Sequence, residues 1–281
     1  MTVNSVSDLV KYDSLAGRIK LHRQNDRRPI IVTEGNTDGN FLRHVLSSTN
    51  VTVFVAGDRR RALRTISELS SFSLEKIACV VDQDFEDDLS ALEISGLPIA
   101  CYDNADMESM IWQSQALESV IRENATQSKF DGFGGIEALR TIASTIVLPI
   151  QRLRYANARE SLGLDFDALK LDRKISKDTL ELPIHSICNA LARGDCDSSS
   201  RELQEIAEDG EIPICPHSGE SLVRGKDLLV VAGVALRRQI GSVSYGSSKA
   251  DQLALAARLS SNEASLAGTR WRERIRELLD I

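Results

Sequence analysis

The chain has 281 residues, 42% hydrophobic and 27% charged, a balance that excludes a disordered or fibrous polypeptide and allows one or two domains with cores of their own. Lys plus Arg number 34 against 41 Asp plus Glu, a net charge of −7. The chain is therefore not a basic nucleic-acid coat, and any contact with a polyanion must come from local patches or bound cations.

Residues 1–28 read as an N-terminal segment, a short amphipathic helix with Leu9, Leu15, Ile19 and Leu21 partly on one side, ended by the basic run RQNDRR. Pro29 to Thr33 is a short, largely β-branched run stopped by Gly35, the pattern of a buried strand. A helix follows at 38–48, a second strand at Val51 to Val55 and a helix at 59–71. A third strand covers Ile77 to Val81, a fourth Leu97 to Tyr102, and a helix lies at about 106–123. Strands alternating with helices of this length predict crossover units and a mostly parallel sheet flanked by helices. DGFGG at 131–135 is a candidate linker. Beyond it, 136–160 reads as helical, with Pro149 expected to kink or break it. Further helices are expected at 178–192, 199–208, 226–240 and 264–279, and 165–171 reads as a short strand or a turn of helix. The expected organisation is an N-terminal segment 1–28, an α/β domain 29–125 and a largely helical domain 126–281.

No apolar run reaches the roughly 18 residues of a membrane span. The first residues lack a basic start followed by an apolar run, and the five cysteines contain no C-x-x-C. These features predict a cytoplasmic protein with reduced thiols and no membrane partner.

Active sites of such sheets lie beyond the carboxyl ends of the strands, and acids gather there. Glu34 follows the first strand, with Asp38 four residues on. Asp82 and Asp84 follow the third, spaced so that both point one way in extended chain. Asp103, Asp106 and Glu108 follow the fourth. Residues 29–112 hold 14 acidic and 6 basic side chains. Such crowding repels unless something neutralises it, and a hard divalent cation does so with oxygen ligands. The pattern suits metal-assisted phosphoryl chemistry. The competing reading for Asp38, Asp103 and Asp106 is helix capping alone, and Glu86, Asp87 and Asp88 read as a solvated loop.

EGNTD at 34–38, VVDQD at 80–84 and YDNADMES at 102–109 resemble the Toprim domain, and more closely a bacterial Toprim-like nuclease family encoded beside SMC- or ABC-like ATPases, which includes the effector of the PARIS phage-defence system. GKDLL at 225–229 resembles that family's second-domain motif. The resemblance implies a Toprim-like fold with Glu34 as general acid or base. Glu34, Asp82 and Asp84 would be magnesium ligands (manganese substituting), Glu108 a further catalytic acid, and Asp38 and Asp106 supporting residues. Where the family leads one to expect a Gly-Lys pair, this chain has AGDRRRALR, so Arg59, Arg60, Arg61 and Arg64 stand as substrate-binding candidates. The implied activity is an endonuclease on nucleic acid, with RNA, tRNA included, as the favoured substrate class. It would be a toxic effector held by its ATPase partner, released during phage infection, and a homodimer once released.

Other basic clusters are Arg152, Arg154 and Arg159, and Arg270, Arg272, Arg274 and Arg276; the latter is interleaved with Glu273 and Glu277 and reads as a solvated helix face. Cys188, Cys196, Cys215 and His217 do not match zinc spacing. No G-x-x-x-x-G-K-[ST] occurs, so the chain is not expected to hydrolyse ATP. Two other functions compete. One is a non-catalytic ATPase-binding module whose acidic pocket serves docking; the other is a phosphatase with Asp82 as nucleophile, weakened by Glu86 where a hydroxyl residue is usual.

Overall fold

The computed structural model describes residues 14–83, 85, 96–192, 198–215 and 218–281. Leu9, Asp84, the Glu86–Asp88 run, Cys196 and His217 lie outside them, so the metal-ligand expectation for Asp84 has no structural account. In chain order the elements are α1 (Leu15–Asn25), β1 (Ile30–Thr33), α2 (Asn36–Val45), β2 (Thr52–Val55), α3 (Arg59–Ser70), β3 (Ile77–Val81) and β4 (Ile99–Cys101). Then come α4 (Met107–Trp112), α5 (Gln115–Asn124), α6 (Gln127–Phe133), α7 (Gly135–Glu160), α8 (Leu171–Lys174), α9 (Ile184–Leu191) and α10 (Ser200–Asp209). The last are α11 (Gly225–Arg238), α12 (Ala250–Ser260) and α13 (Arg270–Leu279). No single helix among them is long and apolar enough to cross a membrane.

The four strands form one parallel sheet in the order β2-β1-β3-β4, as the alternation of strands and helices predicts. Ile30 to Thr33 pair with Thr52 to Val55 on one side and with Ile77 to Val80 on the other. β1, β3 and β4 are buried at every residue, as parallel strands covered on both faces must be. Side chains alternate between the two faces. Ile30, Val32, Ile77, Cys79, Val81 and Ile99 pack with Leu15 and Ile19 of α1 and with Ala62, Ile66 and Leu69 of α3. On the other face Phe41 of α2, Tyr102 and Trp271 of α13 form a ring cluster, with centroids 5.6 to 6.4 Å apart.

The described residues fall into two compact units: 14–83, 96–102 and 262–281 make the first, while 85, 103–192, 198–215 and 218–261 make the second. The division differs from the expected boundary at 125 in two respects. The stretch read as one helix at 106–123 is two, α4 and α5, whose buried residues Met110, Trp112, Leu117 and Ile121 belong to the helical unit, where they meet α11 and α12. The last helix instead belongs with the sheet, contacting β3 and β4. DGFGG is a helix joint rather than a linker between domains. Gly134 takes the left-handed conformation (φ +101°) that ends α6, and both flanking helices lie in the second unit. α7 runs through Pro149, with Val147, Ile150 and Leu153 fully buried around it. α11 is buried along nearly its whole length and is the core helix of its unit. α12 has no counterpart in the sequence expectations.

Candidate metal and catalytic site

The strand order places the candidate acids. The chain moves from β1 to one neighbour, β2, and then crosses to β3 on the other side. The order therefore reverses at β1, and the crevice beyond the carboxyl ends of β1 and β3 is the topological switch point where such sheets bind ligands. Glu34 follows β1 and Asp82 follows β3. They meet there: Glu34 Oε1 accepts the backbone N–H of Asp82 at 3.0 Å. Both side chains are half-buried. The bond ties the turn after β3 to the end of β1, and a carboxylate oxygen keeps further acceptor capacity after one such bond.

Two further groups border these strand ends. Asp38, in the first turn of α2, accepts from the Tyr102 hydroxyl at 3.2 Å, which links that helix to the residue following β4. Beneath the rim, Cys79 is buried on β3, and its thiol is pushed up chiefly by burial and then by the negative charge of Glu34; Arg59 opposes the shift. Arg59 opens α3, whose N-cap Asp58 accepts the Arg61 N–H at 2.8 Å. Arg60, Arg61 and Arg64 are exposed, and Arg64 pairs with Glu68 one turn on.

Among the described residues no three His, Cys, Asp or Glu side chains form a group that could hold a metal ion. Magnesium commonly takes only one or two carboxylates, completing its shell with water and substrate phosphate. Glu34 and Asp82 match that donor set in type and number.

Asp106 and Glu108 lie in the second unit, and each has a clear structural task there. Asp106 is the N-cap of α4, with Oδ1 accepting from Ser109 N at 2.7 Å in a capping box. The same carboxylate accepts Gly225 N at 3.1 Å on both oxygens, so it caps α11 as well. Burial, and then the charge of Glu108, raise its pKa to about 7 against the pull of these N–H donors. Glu108 forms an ion pair with Arg258 at 2.5 Å, largely shielded from water. GKDLL meets YDNADMES directly: a Cβ at Gly225 would stand 2.2 Å from Ser109 N. Asp227 is buried and accepts from Arg154 at 2.8 and 3.1 Å and from Gln151 at 2.8 Å. Arg258, Gln151 and the second capping role of Asp106, at α11, escape sequence reasoning because their partners lie 73 to 150 residues away.

The other arginine clusters are mostly engaged in holding the fold. Arg152 bonds carbonyls at the end of α10, Arg159 reaches Tyr155 and Glu211, Arg272 pairs with Glu263, and Arg274 reaches Ile99 O. Comparison with known proteins finds no matching family model, no matching curated protein and no matching solved structure.

Proposed function

We propose that the protein is a magnesium-dependent Toprim-type endonuclease, with RNA the favoured substrate, acting as an anti-phage effector controlled by a partner ATPase. In this reading Glu34, Asp82 and Asp84 hold the metal. Bound magnesium supplies charge neutralisation at the scissile phosphate and activation of water. Glu34 serves as general acid or base, and Arg59, Arg60, Arg61 and Arg64 offer cations for the flanking phosphates. The observation that carries the reading is the Glu34–Asp82 contact across the switch point of a parallel sheet. It brings two acids from separate strands to the position where this class of sheet binds phosphorylated ligands.

The test is cleavage of RNA and DNA oligonucleotides with magnesium or manganese, comparing the wild type with Glu34→Gln. Glutamine keeps an oxygen for the Asp82 N–H and removes the charge. The expected loss is about a hundredfold or more, the usual contribution of a general acid or base. Undiminished cleavage by the variant would falsify the role assigned to Glu34.

The second reading is a non-catalytic ATPase-binding module, in which the acids at the strand ends serve docking. It predicts tight ATPase binding and no metal-dependent cleavage under any condition.

A further inference from the structure

We propose that α1 and the loop at 71–76 form a binding face for single-stranded nucleic acid, at the amino ends of β1 and β3, whereas Glu34 and Asp82 follow their carboxyl ends. As a substrate-holding surface this deepens the nuclease reading and rests on it. Residues 14–28 carry five basic side chains, Arg18, Lys20, Arg23, Arg27 and Arg28, against Asp26 alone, within a chain of net charge −7. Asp26 is itself neutralised by Arg28 at 2.5 Å, with His22 alongside. Lys20 and Arg23 lie one turn apart on α1, and Arg27 follows just beyond the end of the helix. Arg23 and Arg27 line a cleft of about 490 Å³ together with Ser73 and Lys76.

The cleft is built rather than incidental. The Arg23 guanidinium donates to the carbonyls of Arg27, Arg28 and Glu75, at 3.1, 2.8 and 3.2 Å, and so fixes the end of α1 against the loop. Ser73 and Lys76 both hold positive φ, +51° and +54°, which shapes the loop around it. Burial lowers the Arg23 pKa; the charge of Asp26 opposes the shift and that of Arg27 adds to it. The opposing charges are Glu75, on the cleft wall, and Asp280, paired with Lys76 at 2.8 Å.

Beside the cations stands an aromatic platform. Phe72 is 50% exposed, and Lys20 Nζ lies 3.8 Å from its ring centroid. Cations that follow a phosphate backbone, next to a ring on which a base stacks, are the two parts of sequence-tolerant single-strand binding. A lipid surface fits less well, because Leu15, Ala16 and Ile19, the apolar side of α1, are buried in the core and cannot enter a bilayer.

The test is fluorescence anisotropy of labelled single-stranded oligonucleotides of about 12 nucleotides against the full chain in EDTA, where cleavage cannot occur. Phe72→Ala is expected to weaken binding about tenfold with an unchanged salt dependence. Lys20→Gln with Arg27→Gln is expected to lower the slope of log K against log salt by roughly 0.7 for each cation removed. All three positions are exposed or half-exposed, and equal melting temperatures would show that the variants fold. Failure of the wild type to bind, or equal binding by both variants, overturns the proposal. So does binding to phosphatidylserine vesicles in place of oligonucleotides. Because the assay needs no turnover, its failure is separable from failure of the nuclease reading. Cleavage by wild type with an unchanged KM in both variants would sink this face and spare the catalytic rim.

Discussion

Asp106 shows how one residue carries more than its sequence position declares. Its place before a short helix suggests a cap, and it is one, but Gly225 N, 119 residues on, is its second client. Its raised pKa makes a signed prediction. The folded state holds the proton more tightly than the unfolded chain does, so the stability this group contributes is complete below about pH 4, the ordinary Asp value. It is lost as pH rises towards the folded value of about 7. Urea unfolding should therefore show the wild type losing stability over that interval relative to Asp106→Asn. Parallel curves for the two proteins would contradict the assignment. Gly225→Ala is expected to destabilise by about 1–3 kcal/mol in the same assay, because its added carbon meets backbone that cannot move aside. The cap of α4 was legible in the sequence, but the contact with Gly225 was not: GKDLL and YDNADMES stood out as separate motifs, and only the fold reveals that one is the seat of the other.

At the scale of elements, the strands were the legible part. Their short, continuous apolar runs are what burial on both faces requires, and Ile77–Val81 is the expected third strand without change. The helices were harder to read. α12 was missed because Leu255 and Leu259 are exposed while Leu253 and Ala257 are buried, which blurs its amphipathic pattern. Of the two outcomes expected at Pro149, a break does not occur: α7 is one helix through it, with Val147, Ile150 and Leu153 buried around it. α13 divides its two faces as an amphipathic helix does. Arg270, Glu273, Arg276 and Glu277 are exposed, while Trp271 is 1% exposed and stacks on Tyr102, 5.6 Å away between centroids. Trp271→Ala should cost about 3–5 kcal/mol in urea unfolding. A cost below about 1 kcal/mol, typical of a surface position, would show that α13 is peripheral to the sheet.

For the whole molecule, the charge distribution and the topology converge on the same place. The acid-rich α/β segment delivers Glu34 and Asp82 to the switch point at the carboxyl ends of β1 and β3, and the basic cluster of residues 18–28 lies at their amino ends. The convergence of Glu34 with Asp82 was legible because each directly follows a buried strand. Their mutual hydrogen bond was not, since it depends on strand order, which periodicity alone does not give. The central claim is that these acids hold a divalent cation. Manganese titration followed by electron paramagnetic resonance tests it most directly, because it needs neither substrate nor partner. The account predicts saturable binding by the wild type that the Glu34→Gln, Asp82→Asn double variant loses. Absence of saturable binding in the wild type, or equal binding in the double variant, would contradict it.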